Sequence, residues 1–563
     1  MTAVGRSLRF AVALGLAAAA LSWWFATHTQ PMSDEGAVLT AAAKLLRGGV
    51  FYRDVDAYWF PGSAYLAALA MKGFGEHLSV ARILAAVSYL GMVLSLYALA
   101  LRVVGPRRAG LFGIGLLCLK VVSWPALTAY FYWDLSFCAA CLASLVLAGS
   151  ENPRRRRLLI GAGFLAGVAL LFKQNVGLYL AATASVLLLL PGRLCGDAVR
   201  LPLRVRDAAH LAAGVAIALA PPLLCFAAQG VLGELLWSAF AKPLVGYLPT
   251  SGVSFFEPLA WWELGSLTGD RAFPYFVMPY YLLLYQGVLP GAALQPAYWL
   301  AGELLTRLLY TSVLVAGIAT LALAARRRRR YDERDRRLFV LAALSAAVGA
   351  SAFPRADLAH VISIYPLVLL VLIQLWARWV DGPAGAAPRA VRKVELPVVV
   401  IGVALVAVLA VLHQSQRSYR LDLPRARVWV PPEHAYLETV VRYVAETLDP
   451  DDRFFVYGNE AHLYFLTGRF YPWPYSQLYP GQAGSDRGAA LAALLRAEPP
   501  DLIVRGRVES FAGLPSIPSY APLLEAQVRR QFARDATFFE RYPPPTGIVP
   551  PRWDFSLWRP RRR

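Results

Sequence analysis

The sequence predicts a polytopic α-helical membrane protein with about eleven transmembrane helices, followed by a small C-terminal α/β domain. Of its 563 residues, 57% are hydrophobic and only 16% are charged. A soluble domain carries about 25% charged residues. Apolar runs of about 17–22 residues, long enough to cross a bilayer, recur as far as residue 413. Most of the chain is therefore expected to lie in lipid.

Arginines follow every second apolar run. The predicted spans cover residues 8–26, 79–101, 110–127, 134–150, 157–173, 176–191, 208–228, 301–325, 338–354, 359–379 and 395–413. Basic clusters follow the second, fourth, sixth, eighth and tenth of them, and such loops are usually cytoplasmic. The net charge of +20 thus indicates topology and not a nucleic-acid partner. We expect a multi-pass protein of the bacterial cytoplasmic membrane, with the N-terminus inside and the C-terminal domain outside.

Residues 1–413 are predicted to form the membrane domain, with a first outer loop at 27–78 and a second at 229–300. The first loop holds two helix-like segments, 34–46 with Ser33 as N-cap and a second ending near Phe74. The second loop is rich in Trp and Tyr, and its segment 274–288 is expected to dip into the membrane. The tail, 414–563, alternates helices at 433–448 and 489–497 with strands at 453–457 and 501–504, which predicts an α/β unit.

Three polar segments are expected at the outer membrane surface. Ser33-Asp34-Glu35-Gly36 follows the first span, and carboxylates at the mouth of a transmembrane helix are costly unless they are used or paired. Phe172-Lys173-Gln174-Asn175 ends the fifth span. Arg355, Asp357 and His360 lie between the ninth and tenth spans.

Together these features resemble the bacterial members of the GT-C superfamily of membrane glycosyltransferases. The order is an acidic pair, an alanine-rich helix, Tyr52-Arg53-Asp54, Phe60-Pro61-Gly62 and then Arg82 at the second span. The similarity covers roughly residues 1–415 and is greatest to protein O-mannosyltransferases, the lipid A aminoarabinose transferase and Rgt-type transferases. It implies a polyprenyl-phosphate-linked sugar as donor on the outer face, which agrees with the lack of a glycine-rich nucleotide loop.

The resemblance implies that Asp34 is the catalytic acid, which would accept the proton of an acceptor hydroxyl. Glu35 would support Asp34 or orient the acceptor; alternatively, both acids only complement the helix dipole. Asp34 also suits Mg²⁺ or Mn²⁺, although no cofactor is required by the sequence. Asp54 and Asp134 are candidate supporting acids. The alternatives are an ion pair of Asp54 with Arg53 or Arg47 and helix capping by Asp134.

The leaving phosphate needs fixed positive charge. Arg355 can grip a phosphate with two parallel hydrogen bonds, and Lys173 supplies a second cation at the same depth. Asp357 and His360 would orient Arg355, and Gln174 lies beside Lys173. A simple salt bridge between Arg355 and Asp357 is the alternative.

These observations predict an integral-membrane glycosyltransferase that transfers a hexose or pentose from a polyprenyl phosphate to an envelope glycan, lipid or protein acceptor. Membrane lipids are the other expected partners, and no nucleic acid is expected. The alternatives are an envelope-glycan polymerase or ligase and, without catalysis, a flippase or transporter of lipid-linked sugars. Transporters usually carry charges or broken helices at mid-bilayer, whereas the span interiors here are nearly free of charge, with Lys120 as the main exception.

Overall fold

The computed structural model describes residues 3–124, 127–131, 134–147, 154–190, 201–267, 275, 295–326, 333–380, 389–480, 486–506, 516–549 and 555–561. Its first part is helical. The helices are α1 (Ala3–Thr27), α2 (Ser33–Leu46), α3 (Gly62–Phe74), α4 (Leu78–Val103), α5 (Gly105–Val122), α6 (Asp134–Leu147), α7 (Arg155–Phe172), α8 (Gln174–Leu189), α9 (Leu201–Ala228), α10 (Gln295–Arg326), α11 (Glu333–Ala350), α12 (Leu358–Val380) and α13 (Arg389–Ser415). Each of the eleven predicted spans coincides with one helix. The other two, α2 and α3, lie in the first outer loop.

The helix surfaces are those of a membrane protein. Within the described residues, α1, α4, α9, α10 and α12 contain stretches that are long and apolar enough to cross a membrane. Large apolar side chains cover the outside of the bundle; Leu16, Leu224 and Ile401 are 68%, 69% and 68% exposed. Such exposure is unfavourable in water and costs little among lipid tails, which are equally apolar. The protein is therefore a multi-pass membrane protein.

One end of the bundle gathers basic segments. The Arg337 guanidinium donates to the carbonyl of Arg102 at 3.2 Å, which joins the α10–α11 and α4–α5 connections. Arg155, at the start of α7, pairs with Asp207 of α9 at 2.8 Å. The arginine-rich connections predicted to be cytoplasmic thus lie on a common side. The acidic pair and the two outer loops lie at the opposite end.

Two buried residues of α10 hold the second outer loop. Arg307 pairs with Glu303 at 2.6 Å within the helix, and it donates to the carbonyls of Ala260 at 2.6 Å and Glu263 at 2.8 Å. Glu303 in turn accepts the backbone N–H of Gly265. Short helical segments at Leu232–Leu236, Trp237–Ala241, Pro243–Tyr247 and Leu248–Ser251 lead into this part of the loop. The predicted membrane dip at 274–288 falls, except for residue 275, outside the described residues.

The C-terminal region is an α/β unit. A hairpin of β1 (Tyr419–Leu423) and β2 (Ala426–Val430) precedes a four-stranded sheet of β3 (Phe454–Tyr457), β4 (Leu502–Arg505), β5 (Phe532–Asp535) and β6 (Ser556–Pro560). The sheet order is β3-β4-β6-β5, with β3 and β4 parallel and the other neighbours antiparallel. Its helices are α14 (Tyr436–Thr447), α15 (His462–Thr467), α16 (Ala489–Ala497) and α17 (Pro522–Gln531), with short turns at Ile517–Tyr520 and Phe538–Arg541. The predicted strands and helices agree with these to within a few residues.

The α/β unit docks directly on α2. The Thr40 hydroxyl donates to the carbonyl of Ala461 at 3.1 Å, and Lys44 Nζ donates to the carbonyl of Trp473 at 2.6 Å. At Gly36 the contact is so close that an added Cβ would lie 2.2 Å from the backbone nitrogen of His462. Glycine is therefore required after the acidic pair because α15 leaves no room for a side chain.

The predicted N-cap of α2 is wrong by one residue. Ser33 is the first residue of the helix, and Met32 is the cap, without a side-chain hydrogen bond to the helix. The Ser33 hydroxyl instead accepts the side-chain amide of Gln477 at 2.8 Å. The C-terminal domain thus takes the place of a local cap.

We predict that Gly36→Ala destabilises the protein by about 1–3 kcal/mol, the usual result of forcing extra atoms into a packed contact. Gly73→Ala in α3 is the matched control, because nothing lies within 4 Å of the added Cβ and alanine favours a helix over glycine by about 1 kcal/mol. Thermal unfolding of the purified proteins in detergent measures both. Equal unfolding midpoints for the two variants would contradict the close contact.

Candidate active site

The two adjacent acids of α2 have different surroundings. Glu35 is 1% exposed and accepts two hydrogen bonds from Arg82 of α4, Nε to Oε1 at 3.0 Å and Nη2 to Oε2 at 2.8 Å. The backbone N–H of Tyr130 also donates to Oε1, at 3.0 Å. Both oxygens of Glu35 are thus engaged.

Arg82 extends this contact to the end of α1. Its guanidinium donates to the carbonyls of Ala26 at 2.8 Å, Thr29 at 2.7 Å and Gln30 at 3.1 Å. The Glu35–Arg82 pair therefore joins α1, α2 and α4 at their outer ends. The geometry gives Glu35 the task of positioning α2, and a direct part for it in a reaction stays a prediction.

Asp34 lies on the other side of α2, under the C-terminal domain. Its Oδ1 accepts the side-chain amide of Gln477 at 3.2 Å and the hydroxyl of Tyr479 at 3.4 Å. The Asp34 side chain is accessible to solvent, yet surrounding protein raises its pKa by desolvation. A concave site that is open to a small probe and enclosed by protein explains both properties.

The charges around Asp34 locate it relative to the 351–357 segment. Burial raises the pKa of Asp34; the hydrogen bond from Gln477 and the positive charges of His360 and Arg355 lower it, and the charge of Asp357 raises it. Asp34 and the predicted phosphate-binding group therefore face one common space. The net effect is a pKa above the ordinary value of an aspartate, which favours proton acceptance near neutral pH.

Arg355, Asp357 and His360 form one hydrogen-bonded group. Arg355 Nε donates to Asp357 Oδ2 at 2.6 Å and Nη1 donates to the carbonyl of Ser251 at 3.1 Å. Asp357 Oδ1 lies 2.7 Å from His360 Nδ1. Burial alone would raise the pKa of Asp357, but the charges of His360 and Arg355 bring it well below the usual range. The predicted orienting contacts and the alternative salt bridge are thus the same interaction.

Lys173 lies in the turn between α7 and α8, close enough to this group to interact with Asp357. Burial lowers the pKa of Lys173 to about 8, and the charge of Asp357 opposes the decrease. Its Nζ lies 5.6 Å from the centre of the Phe137 ring. Lys173 thus remains largely cationic at neutral pH, as a phosphate-binding role requires.

The residues after Lys173 brace the site. Gln174 Nε2 donates to the carbonyls of Tyr58 at 2.6 Å and Ala239 at 2.8 Å, one in each outer loop. Asn175 Nδ2 donates to the carbonyl of Ser351 at 2.9 Å. The polar sequence at the end of the fifth span therefore holds three site segments together.

The remaining acids have local roles or lie outside the described atoms. Asp54 Oδ2 accepts the backbone N–H of Val50 at 2.6 Å and closes a turn. The predicted ion pair of Asp54 with Arg47 or Arg53 is wrong, because Arg47 pairs with Glu76 and Arg53 donates to a backbone carbonyl. Asp134 is the first residue of α6; its side chain lies outside the described residues, and both of its predicted roles stay predictions.

Sequence reasoning missed three groups of the site: Gln477, Tyr479 and Tyr247. Burial raises the pKa of Tyr247 to about 12, and the charges of Arg355, Asp357 and Asp34 all act on its hydroxyl. Tyr247 therefore lies between the acid and the predicted phosphate-binding group. Nothing distinguishes these residues in the sequence from other polar groups of the outer loop and tail, because only the fold brings them to Asp34.

Among the residues that the structure describes, no group of three or more His, Cys, Asp or Glu side chains has the arrangement of a metal site. Asp34 offers one carboxylate, and Asp357 is engaged by Arg355 and His360. A divalent metal at Asp34 stays a prediction.

Comparison with known proteins gives one family and several solved structures. Residues 60–226 match the sequence model of the dolichyl-phosphate-mannose-protein mannosyltransferase family. No curated protein matches the chain. ArnT from Cupriavidus metallidurans, solved with undecaprenyl phosphate, is 15% identical with a TM-score of 0.48, over 99% of this chain and 98% of that one.

AglB from Archaeoglobus fulgidus, an oligosaccharyltransferase, was solved with an inhibitory peptide and a dolichol phosphate. It is 11% identical with a TM-score of 0.51, over 93% of this chain and 72% of that one. A second AglB structure, with Zn and sulfate, has a TM-score of 0.51 at 12% identity, over 88% of this chain and 68% of that one. The fold is that of the GT-C membrane glycosyltransferases. The predicted fold class and the resemblance are thereby confirmed.

We predict that Glu35→Gln destabilises the GT-C domain by about 3–5 kcal/mol, because it leaves the buried Arg82 charge without a carboxylate. Glu498→Gln is the control: its ion pair with Arg453 is 3.8 Å long and 43% exposed on both sides, so less than about 1 kcal/mol is expected. Thermal unfolding in detergent measures both changes. A loss for Glu35→Gln no larger than that of the control would show that the buried pair does not hold the outer loop.

Proposed function

We propose that the protein is a glycosyltransferase that transfers a sugar from a polyprenyl phosphate to an acceptor hydroxyl at the outer face of the membrane. One observation carries this proposal: Asp34 faces a space that it shares with Arg355, Asp357 and His360, and their charges act on its pKa. A carboxylate that accepts a proton and a fixed cation that binds a phosphate are the two groups this transfer needs.

In the proposed reaction the acceptor oxygen attacks the anomeric carbon of the donor sugar while its proton passes to Asp34. The bond between that carbon and the phosphate oxygen breaks, and the electron pair leaves with the polyprenyl phosphate. Arg355 stabilises the released phosphate charge through its guanidinium, which Asp357 and the Ser251 carbonyl hold in place. Lys173 adds a second positive charge. A single displacement of this kind inverts the anomeric carbon.

The carrier and the side of the membrane follow from separate observations. The matched family acts on dolichyl-phosphate mannose, and the AglB structure contains a dolichol phosphate; both are polyprenyl-type phosphates. Basic connections such as those of Arg102 and Arg337 meet at the end of the bundle away from Asp34. By the positive-inside rule, we place Asp34 and the C-terminal domain outside the cytoplasm.

The decisive variant is Asp34→Asn in the purified full chain. With polyprenyl-phosphate hexoses as donors, we expect release of lipid phosphate to fall by about 10²–10⁴-fold, the usual contribution of a general base. Donor binding should persist, because the Arg355 group is intact. Asp422→Asn is the control, since its ion pair with Arg427 is exposed on the β1–β2 hairpin.

Two results would reject the proposal. Full turnover by Asp34→Asn would exclude Asp34 as the base. Movement of donor across a reconstituted bilayer without release of lipid phosphate, by the wild-type protein, would favour the transporter alternative.

Gln477 should set the pH dependence of the reaction. Its hydrogen bond lowers the pKa of Asp34, so Gln477→Leu should raise that pKa. Because the base must be deprotonated, the acid side of the kcat/KM profile should move to higher pH, with the rate partly retained at the alkaline plateau. A uniform loss of rate at every pH would instead show that Gln477 only holds the C-terminal domain in place.

A further inference from the structure

A second polar cluster lies beside the proposed transfer site, and the reaction above does not use it. Asp56 of the first outer loop forms an ion pair with Lys242 of the second. The backbone N–H of Asp56 donates to the carbonyl of Pro474 at 2.9 Å. Tyr58 and Tyr475 complete the cluster, which therefore draws on both outer loops and the C-terminal domain.

Two polar atoms of this cluster lack partners. Asp56 Oδ2 and the Tyr58 hydroxyl are buried and make no hydrogen bond within the described part of the chain. A buried unsatisfied polar group costs about 1–3 kcal/mol, so two in one cluster call for a ligand that supplies hydrogen-bonding groups. The ion pair uses only Asp56 Oδ1.

Aromatic rings enclose the cationic end of the cluster. Lys242 Nζ lies 5.1 Å from the centre of the Tyr58 ring and 5.9 Å from that of Tyr475. Carboxylate and amine groups between aromatic rings suit a pyranose, whose hydroxyls form hydrogen bonds and whose C–H face packs on a ring. The Lys242 side chain is 15% exposed and that of Asp56 11%, so Lys242 is the more accessible member and can swing aside to admit a ring.

The cluster adjoins the transfer site through one residue. The rings of Tyr58 and Tyr247 lie 5.2 Å apart, and the Tyr247 hydroxyl interacts with the charges of Asp34 and Arg355. A pyranose bound at Asp56 would thus lie next to the acid that acts on it or on its neighbour.

The backbone around Lys242 is specialised. Two π-helical turns, Trp237–Ala241 and Pro243–Tyr247, flank it on both sides. Such turns are rare and are often found at functional sites. They place Lys242 toward Asp56 and Tyr247 toward Asp34.

We propose that Asp56, Tyr58 and Lys242, with Tyr475 as a wall, bind the hydroxyl groups of a pyranose next to Asp34. The inference rests on the proposed function only for the identity of the ring, which belongs either to the donor or to the acceptor. Asp56 accepts from a ring hydroxyl, Tyr58 donates to or accepts from a second, and Lys242 donates to a ring oxygen.

Binding to the full chain in detergent tests this without turnover. Tryptophan fluorescence is followed during titration with polyprenyl phosphate, with polyprenyl-phosphate hexoses, and with methyl hexosides. Tyr58→Phe should weaken sugar binding about fivefold, because one neutral hydrogen bond is lost. Asp56→Asn should weaken it about tenfold or more, because a charge-assisted bond is lost. Neither should change the affinity for bare polyprenyl phosphate.

Tyr58→Phe keeps the test independent of folding, since the hydroxyl that it removes makes no hydrogen bond in the protein. Tyr89→Phe is the matched control: its hydroxyl donates to the carbonyl of Leu116 at 2.9 Å in the membrane domain. The control should lose thermal stability and keep sugar affinity, whereas Tyr58→Phe should show the reverse.

The ligands separate the outcomes. A loss confined to lipid-linked hexoses assigns the subsite to the donor, and a loss confined to methyl hexosides assigns it to the acceptor. Unchanged affinity of both variants for every sugar overturns the subsite, even if the wild-type protein turns over. If wild-type protein binds methyl hexosides through Tyr58 but no polyprenyl phosphate, the proposed function fails and the sugar subsite stands.

Discussion

The buried ion pair between Glu35 and Arg82 is the constraint on which the outer half of the molecule depends. A carboxylate and a guanidinium removed from water are stable only when nearly all of their hydrogen-bonding groups are used. Here the backbone carbonyls at the end of α1 and the Tyr130 N–H take up the remaining groups. The pair fixes the rotation of α2, so the next acid along the helix must face the other way. The position of Asp34 is therefore a consequence of where Glu35 is buried.

The site is shared between two structural units. The membrane domain supplies Asp34, Lys173 and the Arg355 group, and the C-terminal α/β unit supplies Gln477 and Tyr479. Gly36 permits the close contact that brings them together. The α/β unit is thus part of the site's wall, and its side chains adjust the electrostatics of the acid beneath it.

Much of the fold was predictable because lipid imposes a simple rule on sequence: each span needs a long apolar run, and each of the eleven predicted runs became a helix. The individual acids were less predictable. Adjacent carboxylates such as Asp34 and Glu35 look equivalent in sequence, and only burial against Arg82 separates their surroundings. Gln477 lies 443 residues from Asp34, so no local pattern could join them. The pairing assumed for Asp54 failed because a turn offered its carboxylate a nearer backbone donor.

The paired π-helical turns around Lys242 make the spacing of this segment matter as much as its composition. Each π turn holds one residue more than an α-helical turn would over the same rise. Removing a single residue from either turn would restore α-helical register and rotate everything beyond it by about 100°. Tyr247 would then point away from α2, although no side chain had been altered. Relatives that differ here by one insertion or deletion should consequently diverge in which sugars they accept, while retaining the same acid and the same phosphate-binding arginine.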